Sequence, residues 1–159
     1  MSTLIVYASK YGCTEKCVEL LSKKLYGEIE IMNLKKVRDI DISRYEKIII
    51  GGSIYIGRIQ KEVTEFCSKS LEELKKKRIG LFICGMQEGD TINTQLNQNF
   101  NPALIEIADA KECFGGEFTF DKMTFIEKFI VKKVSKVTSN KSNISQDNIH
   151  KFAQAINSI

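Results

Sequence analysis

Three short stretches hold the residues best suited to chemistry, and each follows an apolar run. The first is Ser9-Lys10-Tyr11-Gly12-Cys13-Thr14, directly after Leu4-Ile5-Val6-Tyr7-Ala8. Val18, Leu21 and Leu25 follow at helical spacing, so the stretch joins a strand to a helix N-terminus. Backbone N–H groups there lack helical partners and the helix dipole is positive, which makes the end a ready anion site. Ser9 and Thr14 add hydroxyls, and Gly12 permits close backbone approach. A phosphate monoester suits that chemistry. Plain N-capping by Ser9 or Thr14 would use the same residues. The glycines and lysine of a Walker loop or a GxGxxG turn are missing.

The second stretch, Ser53-Ile54-Tyr55-Ile56-Gly57, follows Lys47-Ile48-Ile49-Ile50-Gly51-Gly52. Apolar side chains in a loop have two uses: they tuck into the core, or they cover something flat and apolar. The third stretch, Cys84-Gly85-Met86-Gln87-Glu88, follows Ile79-Gly80-Leu81-Phe82-Ile83. Taken alone it reads as an ordinary strand-to-helix turn. Taken together, one loop could hold a phosphate and two could wall a planar ring.

The elements that position these loops follow from periodicity. The three apolar runs suit strands buried on both faces, whereas Glu28-Ile29-Glu30-Ile31-Met32 alternates as a strand nearer a sheet edge does. Val63, Phe66, Leu71 and Leu74 mark a helix ending in Lys75-Lys76-Lys77-Arg78, cations placed at the negative end of its dipole. Gln87 to Asn101 is a long polar stretch. Ala103 to Ala108 reads as a short helix, and Lys111 to Phe120 as a last strand broken at Gly115-Gly116. Ile126, Ile130, Val134 and Val137 form a helical stripe, Thr138 to Asn143 a polar break, and Ile149, Phe152, Ala153 and Ile156 a terminal helix. Buried strands alternating with helices imply an α/β parallel sheet covered on both faces, with right-handed crossovers. Ligands of such sheets bind beyond the strand C-termini, where the strand order reverses.

Composition narrows the class. A chain of 159 residues suits one domain, 1–159. Its net charge of +4 is mild and carries no nucleic-acid signature. The start has no basic region or cleavage site of a secretory signal, and no apolar run approaches the roughly 20 residues that span a bilayer. A cytoplasmic protein is expected. The five cysteines form no CxxC pair, lie scattered along the chain, and have a single histidine, His150, for company. They are therefore read as thiols that pack as small hydrophobes rather than as a zinc site. No paired aspartates follow the first strand, which argues against a magnesium-dependent regulator module, and no nucleophile–base pair is evident.

The run Ile5 to Thr14 resembles the start of the flavodoxin family. Ile49-Ile50-Gly51-Gly52-Ser53-Ile54-Tyr55-Ile56-Gly57 resembles, more specifically, the flavodoxin-domain branch that includes menaquinone-dependent protoporphyrinogen dehydrogenase. Gly115 to Phe118 and Phe125 to Lys136 are similar to the same branch. The resemblance implies a three-layer, doubly wound, five-stranded parallel sheet in the order 2-1-3-4-5, with flavin mononucleotide (FMN) at the switch point. It implies that Ser9, Lys10, Tyr11, Gly12, Cys13 and Thr14 hold the phosphate. Ser53, Ile54, Tyr55, Ile56 and Gly57 would line one side of the isoalloxazine, and Cys84, Gly85, Met86, Gln87 and Glu88 the other side and the pyrimidine edge. Tyr11 departs from the family, which places a short hydroxyl side chain there. The implied role is electron transfer with a redox partner protein, or a dehydrogenase passing electrons to a quinone. The positive net charge departs from acidic carriers that dock on basic partners. The cationic segment Lys122 to Lys136, with Phe125, Phe129 and Ile130, suits peripheral contact with an anionic membrane; equally, its apolar stripe could face the sheet and its lysines water. Where the branch has a more basic insert, Gln87 to Asn101 is amide-rich and carries Glu88 and Asp90.

Overall fold

The computed structural model describes residues 2–85, 90–118 and 141–159. Its main sheet is made of β1 (Ser2–Ala8), β2 (Glu28–Asn33), β3 (Lys47–Ser53), β4 (Arg78–Cys84) and β5 (Ala110–Cys113). All neighbours pair in parallel, in the order β2-β1-β3-β4-β5. Successive side chains of a strand point to opposite faces, and here each face has its own core. Leu4, Val6, Ile48, Ile50, Ile79, Leu81 and Ile83 face one cluster; Ile5, Tyr7, Ile49, Phe82 and Cys84 face the other. That double burial is why the three inner strands read as unbroken apolar runs. β2 lies at the edge, and Ile31 on it is exposed.

Helices cover both faces. α1 (Cys13–Ser22) and α5 (Gln146–Asn157) pack on the Phe82 side through Val18, Leu21, Ile149, Phe152 and Ile156. α2 (Lys61–Leu74), α3 (Asp90–Asn99) and α4 (Pro102–Ile107) cover the other side through Val63, Phe66, Leu74, Leu96 and Leu104. The Ser145 hydroxyl caps α5 by accepting from the Asn148 N–H, and Asn101 caps α4 ahead of Pro102.

Four expectations change. The polar stretch Gln87 to Asn101 contains a helix, α3, because Ile92, Leu96 and Phe100 recur every fourth residue and pack on the sheet. The strand expected over Lys111 to Phe120 ends at Cys113. Gly115 turns in the left-handed region at φ +82°, and Gly115–Phe118 becomes β6, which pairs antiparallel with β7 (Lys141–Ile144). The polar break expected up to Asn143 therefore ends in a strand. Finally, α2 stops at Leu74, so Lys75, Lys76 and Lys77 follow the helix instead of closing its last turn, and Arg78 opens β4. The helical stripe Ile126 to Val137 and the cationic segment Lys122 to Lys136 lie outside the described residues.

Candidate functional site

β1 and β3 are neighbours whose following helices lie on opposite faces of the sheet, so the loops beyond their C-termini diverge and leave a crevice. The three candidate loops open on it. In the first, Ser9 is half-buried, and its Oγ accepts the Gly12 N–H at 2.9 Å. Gly12, left-handed at φ 91°, is the N-cap of α1, and no side chain caps the helix. Lys10 is exposed and Tyr11 half-buried, while Cys13 and Thr14 are buried in the first turn. Thr14 is 0% exposed, and its Oγ1 has no hydrogen-bond partner. A buried hydroxyl without a partner costs about 1–3 kcal/mol. An orphan hydroxyl beside an uncapped helix N-terminus matches the donor set that a phosphate requires.

The second loop is a tight turn. The Tyr55 N–H donates to the Arg58 carbonyl at 2.9 Å and the Arg58 N–H to the Tyr55 carbonyl at 3.1 Å. Its central residues, Ile56 (φ 49°) and Gly57 (φ 76°), are both left-handed, the backbone of a type I′ turn. A β-branched residue in that region is strained. Such strain gathers where the surroundings dictate the backbone, commonly at ligand sites. The loop's two isoleucines differ in placement. Ile54 packs on the core, and Ile56 is 57% exposed at the turn's tip. Tyr55 is half-buried between the loops.

Two side chains absent from the sequence reading hold this turn. Gln60 grips Ser53 twice: its Oε1 accepts the Ser53 N–H at 3.0 Å, and its Nε2 donates to Ser53 Oγ at 2.7 Å. Asn99, from α3, donates through Nδ2 to the Gly57 carbonyl at 3.1 Å and accepts the Ile59 N–H at 3.0 Å. The sequence signal was faint. Gln60 precedes a helix, and Asn99 ends α3 within the amide-rich stretch.

In the third loop Cys84 is buried, and the half-buried Gly85 donates its N–H to the Gly115 carbonyl at 2.8 Å. Ile54 joins this loop to the second by donating its N–H to the Cys84 carbonyl at 2.7 Å. Met86, Gln87 and Glu88 lie outside the described residues. Gln95, a residue the sequence did not single out, is buried near Gly85 with an unpartnered Oε1. Both unpartnered buried side-chain atoms found among the described residues thus border the candidate loops.

The five cysteines do not all stay apart in space. They are scattered in sequence, but the fold gathers Cys13, Cys17 and Cys84, all buried, with sulfurs within 4.8 Å of one another. Cys13 and Cys17 share a face of α1 one turn apart, and Cys84 ends β4 beside them. None of the three is in a disulfide. Hydrogen bonding to Cys13, reinforced by burial, pushes the Cys17 and Cys84 thiols well above their ordinary range.

Comparisons with known proteins agree with this architecture. Over 94% of its length the chain is 18% identical to the protoporphyrinogen IX dehydrogenase [quinone] of Escherichia coli strain K12, covering 87% of that enzyme. A mutant flavodoxin of Fusobacterium nucleatum, solved bound to flavin mononucleotide, superposes with a TM-score of 0.55 at 16% identity, over 99% of this chain and 95% of that one. The rubredoxin oxygen:oxidoreductase of Desulfovibrio gigas matches with a TM-score of 0.63 at 15% identity; the chain spans 35% of that longer protein. The sequence model of the flavodoxin domain family matches residues 4–145, and the chain belongs to that family.

Proposed function

We propose that the chain, as a single domain, binds FMN in the crevice between the three loops and transfers electrons with it. The observation that carries this reading is Thr14: a fully buried hydroxyl with no partner, in the first turn of a helix that no side chain caps. Thr14 Oγ1 and the N–H groups of that turn would donate to the phosphate, and Ser9 Oγ, already accepting from Gly12, keeps its own proton to donate. Tyr55 and the exposed Ile56 would flank the ring on one side; Gly85 and Gln95 would border it on the other. FMN supplies one- and two-electron redox chemistry when bound. The protein's part is to fix the ring and set the polarity at its edge. Its partner is a redox protein or a quinone. Among the described residues, no helix is long and apolar enough to cross a membrane.

Protein incubated with FMN and then freed of unbound flavin by gel filtration should remain yellow and bleach with dithionite. A colourless product, with no change of FMN fluorescence on titration, would overturn the reading. The match to the E. coli dehydrogenase, over 94% of this chain and 87% of the enzyme, supports a second role, oxidation of protoporphyrinogen with electrons passed to a quinone. Anaerobic turnover of protoporphyrinogen with a menaquinone analogue would establish it. Fast reduction by a ferredoxin reductase without such turnover would establish the carrier.

A further inference from the structure

We propose that Cys13, Cys17 and Cys84 form a three-thiolate site for a divalent thiophilic cation of the zinc group, seated under the first turn of α1. The inference does not need the flavin reading, although Cys13 and Cys84 belong to loops assigned to FMN, because it starts from the sulfur positions. All three sulfurs already lie within 4.8 Å of one another. Metal–thiolate bonds of about 2.3 Å arranged trigonally place sulfurs about 4 Å apart, so no pair has to close by more than about 1 Å. The ligands stand on rigid elements, two on one helix face and one at a strand end. The group contains no carboxylate or imidazole, and an all-sulfur set selects soft metals over magnesium or calcium.

Charge decides the valence. Three thiolates around a divalent ion leave one net negative charge, and around a monovalent ion two. The smaller charge is the cheaper one to bury, and the positive end of the α1 dipole lies over it. On binding, each S–H bond is exchanged for a sulfur–metal bond and its proton goes to solvent; no electrons move. Cys13, 6% exposed and itself part of the candidate phosphate loop, is the side from which an ion would enter. Cys113 stays outside the group, with its sulfur directed at the Gly85 carbonyl at 3.8 Å. Cys67, buried on the opposite face of the sheet, provides an internal control.

The test titrates the reduced full-length protein with Cd²⁺, with and without FMN, following ultraviolet sulfur-to-cadmium charge-transfer absorption. The expected result is a band saturating at one Cd²⁺ per chain, with proton release, abolished in Cys17→Ala and unchanged in Cys67→Ala. Cys13→Ala gives the same readout should Cys17→Ala fail to fold. The proposal is overturned if no band forms, if the band keeps its intensity in both triad variants, or if Cys67→Ala removes it. FMN fluorescence, read in the same samples, reports separately on the flavin site.

Discussion

The Lys10 ammonium lies 3.6 Å from the centroid of the Tyr55 ring, so the loop after β1 reaches across the crevice to the turn after β3. Tyr11 extends the contact, its ring edge-on to Tyr55 with centroids 6.3 Å apart. The two loops leave neighbouring strands in divergent directions, and this aromatic–cation bridge fixes their separation. It also holds a positive charge beside the helix end assigned to the phosphate. Lys10→Ala should weaken FMN about 2–5-fold, the equivalent of one exposed cation–π contact. Lys10→Arg should retain the affinity. Fluorescence titration of both variants decides, and an unchanged affinity in Lys10→Ala would show that the bridge contributes nothing to binding.

Thr14→Val should act in opposite directions on the empty and loaded protein. Valine keeps the branched shape and removes the buried hydroxyl that has no partner. The apoprotein should hold its stability or gain up to about 1–3 kcal/mol, the cost of an unsatisfied buried polar group. Affinity for FMN should fall about tenfold or more, because a hydrogen bond to a charged group contributes about 1.5–3 kcal/mol. Riboflavin, which lacks the phosphate, should bind both proteins equally. Equal losses for the two ligands would remove Thr14 from the phosphate site.

Tyr7 gives the fold an alkaline limit. Burial, together with the nearby Glu15 carboxylate to which its hydroxyl donates at 3.2 Å, pushes its pKa from 10.0 up to about 12. The folded state thus favours the protonated phenol. The stabilisation is complete below the unfolded value of about 10 and is lost as pH rises through about 12. Tyr7→Phe should flatten the part of the stability decline between those values. Urea melts across that range, with tyrosinate absorbance followed in parallel, test it. A variant curve parallel to the wild type would reject the assignment.

Much of the fold and part of the site were legible in the residues. The inner strands declared themselves because both faces are buried, so Leu4 to Ala8 and Ile48 to Ile50 lack polar interruptions. α3 was hidden because its stripe of Ile92, Leu96 and Phe100 is a single residue wide among amides. β6 and β7 were hidden because their pairing is set by a tertiary partner 23 to 29 residues away and not by periodicity. At the site, the Ser9 to Thr14 loop was readable from its place before a helix. The grip of Asn99 and the meeting of Cys17 with Cys84 depend on chain crossings that no local pattern encodes, and Gln60 reaches Ser53 only because the intervening loop folds back as a tight turn.

Gly51 shows how little room lies behind the crevice. A Cβ there would sit 2.2 Å from Phe82 Cζ. Phe82 cannot easily yield: it stacks on Phe114 with centroids 4.6 Å apart and meets Phe152 edge-on at 6.2 Å. Forcing a methyl into so tight a core costs about 1–3 kcal/mol. Gly51→Ala should therefore lower the melting temperature by about 2–12 °C, given about 2–4 °C per kcal/mol at this size. Adding Phe82→Leu withdraws the ring that the methyl strikes. Melting curves of the two single variants and the double variant should show the pair less destabilised than the sum of its parts, because both act on one packing contact. Strict additivity would mean that the clash is relieved elsewhere, through a shift of β3 rather than of Phe82.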